Sequence, residues 1–234
     1  MKTQKLTLAS ILMASTIVLG GCAATAINSV GSLAMGGGSG GGSYTQVATN
    51  FLTVKGELVA TLQQQTLIKA DILEAFDSQS EAEALRAEAK NMEEKGDAIG
   101  SDDLDVVIRL SEAADEKIQE KYSNSESLND KQKEALGGAA KKYIPTLIQG
   151  VVSAKKLKNI IQQVVSLGAP ALSDVMSLGT SIRAIQEAPT VGADLVQVIY
   201  NSAVFGKDMI AALDTNGIAE VDSSALDGVD FSDF

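Results

Sequence analysis

The 234-residue chain has no histidine, no tryptophan, three prolines and one cysteine. A single cysteine cannot close a disulfide within the chain. Without histidine, Cys/His zinc sites and histidine-activated serine or cysteine nucleophiles are excluded. A fold without cross-links must be stabilised by packing, which favours helices with long apolar faces. Bases are also scarce, 19 Lys and Arg against 30 Asp and Glu, for a net charge of −11. Such a chain repels phosphate backbones, so no nucleic-acid partner is expected. No series of alternating strands is present either, which excludes a membrane β-barrel.

What is present begins with Lys2 and Lys5, followed by an apolar run from Leu6 to Leu19 broken only by Thr7, Ser10, Ser15 and Thr16. Gly20, Gly21 and Cys22 close it. A charged start, an apolar stretch of this length and a small-residue site read as a removable signal and not as a spanning helix. The Leu19-Gly20-Gly21-Cys22 segment resembles the lipobox of bacterial lipoproteins. That resemblance implies cleavage between Gly21 and Cys22, with diacylglycerol on the Cys22 thiol and an N-acyl chain on the new amino terminus. Three acyl chains anchor stably, each buried methylene contributing about 0.8 kcal/mol. An ordinary secretory signal cut after Ala24 or Ala26, with Cys22 lost, is the competing reading. In the lipoprotein family a residue other than aspartate after the cysteine, here Ala23, implies sorting to the outer membrane, and a periplasmic orientation is expected.

The sequence then divides into residues 1–21 as signal peptide, 22–45 as lipidated cysteine and tether, 46–213 as the domain and 214–234 as a tail. The tether holds Gly36-Gly37-Gly38-Ser39-Gly40-Gly41-Gly42-Ser43, a flexible-linker composition with a reach of about 25 Å from Ala23 to Ser43. No strand precedes these glycines and no Gly-Lys-Ser/Thr follows, so they do not form a phosphate loop.

Helical periodicity starts at Gln46. Val47, Phe51, Val54, Leu58, Leu62, Ile68, Ile72 and Phe76 recur every three or four residues, with Gln63, Gln64 and Lys69 on other faces. Asp77-Ser78 ends this helix, and Ser78 with Glu81 predicts a capping box for a second helix to about Lys95. Ser101 or Asp102 is expected to cap a third, with Val106, Val107, Leu110, Ala114 and Ile118 facing inward as far as Tyr122. A fourth starts near Leu128 or Asn129, with a kink or restart at Pro145 and a stop at Gly168. A fifth is expected over about Ala171 to Gln186, ended by Pro189, and a sixth from Val191 to Leu213. The fold class is therefore an all-α bundle of five to six helices with no sheet.

Nineteen of the 30 acids fall between Asp71 and Glu134, whereas Ile144 to Leu213 carries nine charges of either sign. This predicts that helices two and three form an acidic, exposed flap on a core of the others. Lys131, Lys133, Lys141, Lys142, Lys155, Lys156 and Lys158 form a basic stretch. They read first as a solvated stripe that offsets the acids. Lys141, Lys155, Lys156 and Lys158 are the candidate contacts for anionic headgroups or an acidic partner, at about 1 kcal/mol per lysine.

Catalytic signals are weak. Ser153-Ala154-Lys155-Lys156 has Ser-x-x-Lys spacing but lacks the companion Ser-Asp-Asn and Lys-Thr-Gly motifs. Glu112, Glu116 and Glu120 align three carboxylates along a helix, yet Lys117 and Lys121 run beside them, so a solvated face is expected and not a metal site. Asp214-Thr215-Asn216-Gly217 misplaces the glycine of a calcium loop and reads as a helix end. The tail carries six acids and no base, with Phe231 and Phe234 as candidate docking aromatics. No enzyme activity, metal or dissociable cofactor is expected. The expected function is a lipid-anchored scaffold, assembly factor or adaptor for another envelope component. The alternative is a membrane-active helical protein that inserts Asn159 to Leu178, although Gln162, Gln163, Gly168, Pro170 and Asp174 interrupt that run.

Overall fold

A computed structural model describes residues 44–124, 128–168 and 181–218. Among the described residues the longer elements are five helices: α1 Tyr44–Ala75, α2 Gln79–Lys95, α3 Ser101–Asn124, α4 Asp130–Leu167 and α5 Ser181–Thr215. A single 3-10 turn, Gly96–Ala98, joins α2 to α3. The protein is an all-α helical bundle, as its apolar periodicity predicts.

Helix α1 is the axis. It packs against α4, α2 and α5 and touches α3, while α5 also packs against α4 and α3. A helix surrounded in this way is buried on several faces, not along one stripe. Phe51, Leu58, Ile72 and Leu73 are fully buried, and so are the side chains of Lys55, Gln65 and Lys69. Lys69 therefore does not lie on an outer face as its position beside the apolar stripe suggests.

The acidic α2–α3 region is not an exposed flap. Ala82, Leu85, Ala89 and Met92 bury one edge of α2, and Leu104, Val107, Ala114 and Ile118 do the same for α3. Charge marks only the outer face of these helices. Small and medium apolar residues three and four apart suffice to dock the inner one. Arg86 of α2 reinforces the contact by pairing with Asp71 and Glu74 of α1.

Helix ends show where local chemistry differs from expectation. The Ser78 side chain makes no capping bond. The end of α1 is set instead by Asp77 at φ 58°, with Ser78 N–H donating to the Leu73 carbonyl at 2.8 Å. Such a left-handed residue closes the helix and leaves Ser78 to start α2 through its carbonyl alone. At α3 neither Ser101 nor Asp102 caps; Asp103 reaches back and its Oδ2 accepts from Gly100 N–H at 3.1 Å. Asn129 caps α4 in a full capping box with Gln132.

Both internal prolines lie within continuous helices. Pro145 causes no restart in α4, and Pro189 does not separate two helices, because α5 runs through it. Residues 171–180 of the expected fifth helix lie outside the described residues. Pro189 faces outward, while Ala184, Ile185, Ala188, Val191, Gly192 and Leu195 continue one buried stripe across it. A proline inside a helix costs about 3 kcal/mol. Packing on both sides of the lost hydrogen bond offsets that cost. The carboxyl end of α5 is a Schellman turn: Gly217 at φ 68°, with Ile218 N–H donating to the Leu213 carbonyl at 2.9 Å. Asp214 to Gly217 thus form a helix end.

Candidate functional site

The most unusual chemistry among the described residues lies where α1, α3 and α5 meet. Lys69 projects from α1 with a side chain only 1% exposed. Its Nζ donates to Ser111 Oγ at 2.6 Å and to Asp115 Oδ2 at 2.8 Å, both on α3. The third side of the ammonium faces the Phe205 ring of α5, 4.6 Å from its centroid. Two hydrogen-bond acceptors and an aromatic face match the three donors of a lysine ammonium. Phe205 is itself held edge-to-face by Tyr143 of α4, with centroids 5.2 Å apart, and Tyr143 Oη donates to the Ser202 carbonyl.

Burial governs the titration of this cluster. It lowers Lys69 below the ordinary lysine value, and Asp115 opposes it. It raises the Asp115 carboxyl to about 6; Lys69 pulls the other way, while Glu112 and Asp208 add to the rise. Tyr122 is pushed up to about 12, first by burial and then by Asp208 and Asp115. Taking both charges out of water thus outweighs their attraction at 2.6 Å. Outside the pair lies a concavity of about 240 Å³ between α3 and α5, lined by Glu112, Asp115, Tyr122, Asn201, Phe205 and Asp208 among others. Asn201 Nδ2 spans its mouth to Glu112 Oε1 at 3.0 Å.

A second buried lysine, Lys55, sits 3.9 Å from Glu187 Oε2 and 5.9 Å from the Phe51 centroid. Its pKa is lowered by burial, against the pull of Glu187. Neither Lys55 nor Lys69 was marked by its local spacing. The available signal for Lys69 is its place between Ile68 and Ile72, inside the apolar run of a helix with neighbours all round.

The lysine stretch is less free than its sequence suggests. Ser153 is buried and donates to Glu57 Oε2 at 3.0 Å, and Lys156 Nζ lies 3.8 Å from the same oxygen. The Ser-x-x-Lys pair therefore joins α4 to a carboxylate of α1, and the serine proton points to Glu57 and not to a lysine. Lys141, Lys155 and Lys158 are engaged as well. Because α4 is continuous, Lys141 and Lys155 share a side, two heptads apart. Lys141 lines an open groove of about 590 Å³ with Lys133, Glu134 and Ile218. Glu112, Glu116 and Glu120 are exposed, and no group of three possible metal ligands occurs among the described residues. Gly21, Cys22, Phe231 and Phe234 lie outside the described residues. No family model, curated protein or solved structure matches this chain.

Proposed function

We propose that the protein is a lipid-anchored envelope protein whose helical bundle acts as a non-enzymatic scaffold or adaptor for another envelope component. The observation that carries this reading is the Leu19-Gly20-Gly21-Cys22 lipobox followed by a Gly/Ser-rich tether and a helical bundle. A tether of this composition lets a bundle search the space near a membrane without lying on it. The engagement of the strongest nucleophile candidates supports a binding role over catalysis. Lys69 has its donors occupied within the core, and Ser153 is tied to Glu57. Docking would use the outer side of α4, where Val152 is 50% exposed one turn before Lys155 on the helix that also carries Lys141 and Lys158. Scaffold action is favoured over membrane insertion because Ile160 and Val164 are buried and no described helix is long and apolar enough to cross a membrane.

The anchor is tested by palmitate labelling and fractionation of wild type and Cys22→Ser. Label on the wild type alone, with loss of the variant from the membrane fraction, is the expected result. An unlabelled wild type would overturn the reading. Photo-crosslinking from position 152 then tests the adaptor role. One dominant envelope adduct, weakened by Lys155→Glu, is expected.

A further inference from the structure

Helix α5 ends against α4, and the residues that follow it leave from a charged groove. Gly217 at φ 68° and the bond from Ile218 N–H to the Leu213 carbonyl turn the chain back at this point. The Ile218 side chain lies over Gly137, where a Cβ would stand 3.2 Å from Ile218 Cγ2. Gly217 and Ile218 thereby form one wall of the groove of about 590 Å³ that Lys133, Glu134, Gly138 and Lys141 also line. We propose that this groove is the seat of the chain's own next segment, Ala219 to Asp222, held by Lys133 and Lys141 through the carboxylates of Glu220 and Asp222.

Position favours this occupant. Residue 219 follows the groove's own wall with no linker between, so its local concentration there is on the order of millimolar or above, and weak contacts suffice to hold it. Spacing fits as well. Lys133, Gly137 and Lys141 stand at successive i, i+4 positions of α4, which puts both lysines on the side covered by Ile218, about 12 Å apart at the backbone. Four extended residues span about 13 Å. Ala219 and Val221 alternate with Glu220 and Asp222, so an extended chain turns both carboxylates one way and both apolar side chains the other. The floor at Gly138 is exposed and open, with nothing within 4 Å of a Cβ built there, which leaves room for Val221.

Charge selects an acidic segment. Glu134 in the groove is outweighed by Lys133 and Lys141, whereas residues 219–234 carry five acids and no base. Lys141 has another contact too, but an ammonium has three donors to share. A surplus of one positive charge attracts a free anion or a lipid headgroup only weakly, yet it is enough for a segment that is already in place. Such a seat needs neither a lipid anchor nor an external partner. While it is filled, a second acidic segment reaches Lys133 and Lys141 only by displacing it.

Nitrogen-15 relaxation of the full chain in detergent micelles tests the seat. Heteronuclear Overhauser enhancements at Val221 and Asp222 are expected to approach those of α5, and cross-peaks should link the Val221 methyls to the Gly138 α protons. Lys133→Glu with Lys141→Glu should lower the ratio of seated to unseated segment about tenfold. Raising sodium chloride from about 0.05 to 0.5 M should lower it in the unaltered protein. Adding Glu220→Lys and Asp222→Lys to the two lysine changes should restore order at Val221, which proximity alone would not do. Low enhancements at Val221 in the unaltered chain, without the cross-peaks to Gly138, overturn the seat, and so does order at Val221 that ignores both salt and the two lysine changes. If the lysine variant fails to fold, the cross-peaks and the salt titration of the unaltered chain decide.

Discussion

Along one helix, α1, two kinds of contact hold the bundle together. Towards α4 and α5 the surfaces meet at small residues. A Cβ on Gly150 would stand 3.1 Å from Thr61 Cγ2 and 2.9 Å from Ile199 Cδ1, and Gly192 and Gly206 bring α5 equally close to Ile161 and Leu147 of α4. Two turns past Thr61, towards α3, the contact is an ammonium among Ser111, Asp115 and Phe205. At these glycines the first seam is stabilised by the area and closeness of apolar packing, which is insensitive to pH, although the same side of α1 also carries the contacts of Lys55 with Glu187 and of Glu57 with Ser153 and Lys156. The second holds charges whose desolvation exceeds their attraction, so it contributes little net stability and responds to protons. Closeness makes the α4–α5 side rigid, and charge makes the α3 side adjustable.

The largest effect expected from breaking this contrast is at Asp115. Replacing it by alanine removes the acceptor and leaves Lys69 buried without a carboxylate, at a cost of about 3 kcal/mol in unfolding free energy at neutral pH. The paired change Lys69→Met with Asp115→Leu removes both charges and should return stability to within about 1 kcal/mol of the original. Urea titrations of the two singles and the double close the cycle. A double variant as weak as Asp115→Ala would show that the pair is a net source of stability after all.

On the dry side the expected loss is smaller. At Gly206 a Cβ would lie 2.8 Å from Leu147 Cδ2 and 3.5 Å from Tyr143 Cε1. Leu147 can swing away from one methyl group, but the branches of valine would press on both neighbours. Gly206→Val is expected to cost about 1–3 kcal/mol, read as a drop in the urea midpoint with unchanged slope. No dependence on pH between 5 and 7.5 is expected for that loss, whereas the loss at Asp115→Ala should change with pH.

The two seams differed in how far the amino-acid sequence disclosed them. The apolar one was legible: Leu58, Leu62, Leu147, Val151, Leu195, Ile199 and Met209 repeat at helical spacing and all are buried. The polar one was not, because spacing along one helix cannot say how many neighbours surround it. Lys69 read as solvent-facing on the assumption of a single apolar stripe, and α1 has neighbours on nearly every side. For the same reason acidic α2 and α3 were expected to stand apart, although Leu85, Met92, Val107 and Ile118 are fully packed. Pro189 misled for a different reason. Local propensity favoured a break, and burial of Ile185, Ala188, Val191 and Leu195 on both sides of it prevailed. Where the chain itself supplies the partner, as at Asn129 with Gln132 or Gly217 after Thr215, helix ends were readable.

The smallest predicted effect separates close approach from mere glycine content. Gly137 and Gly138 are consecutive residues of α4, yet a Cβ on Gly137 would meet Ile218 Cγ2 at 3.2 Å and one on Gly138 would meet nothing within 4 Å. Glycine inside a helix costs about 0.5–1 kcal/mol relative to alanine through backbone entropy. With no steric penalty, Gly138→Ala should recover most of that, raising the melting temperature by about 2–4 °C. Gly137→Ala gains the same entropy but pushes Ile218, which closes the α5 end through its N–H to Leu213, so its net change should be near zero or negative. Equal stabilisation by the two alanines would mean that Ile218 yields freely and that the α5 turn is not held against α4. A gain confined to position 138 would extend the tight α4–α5 seam as far as the last turn of α5.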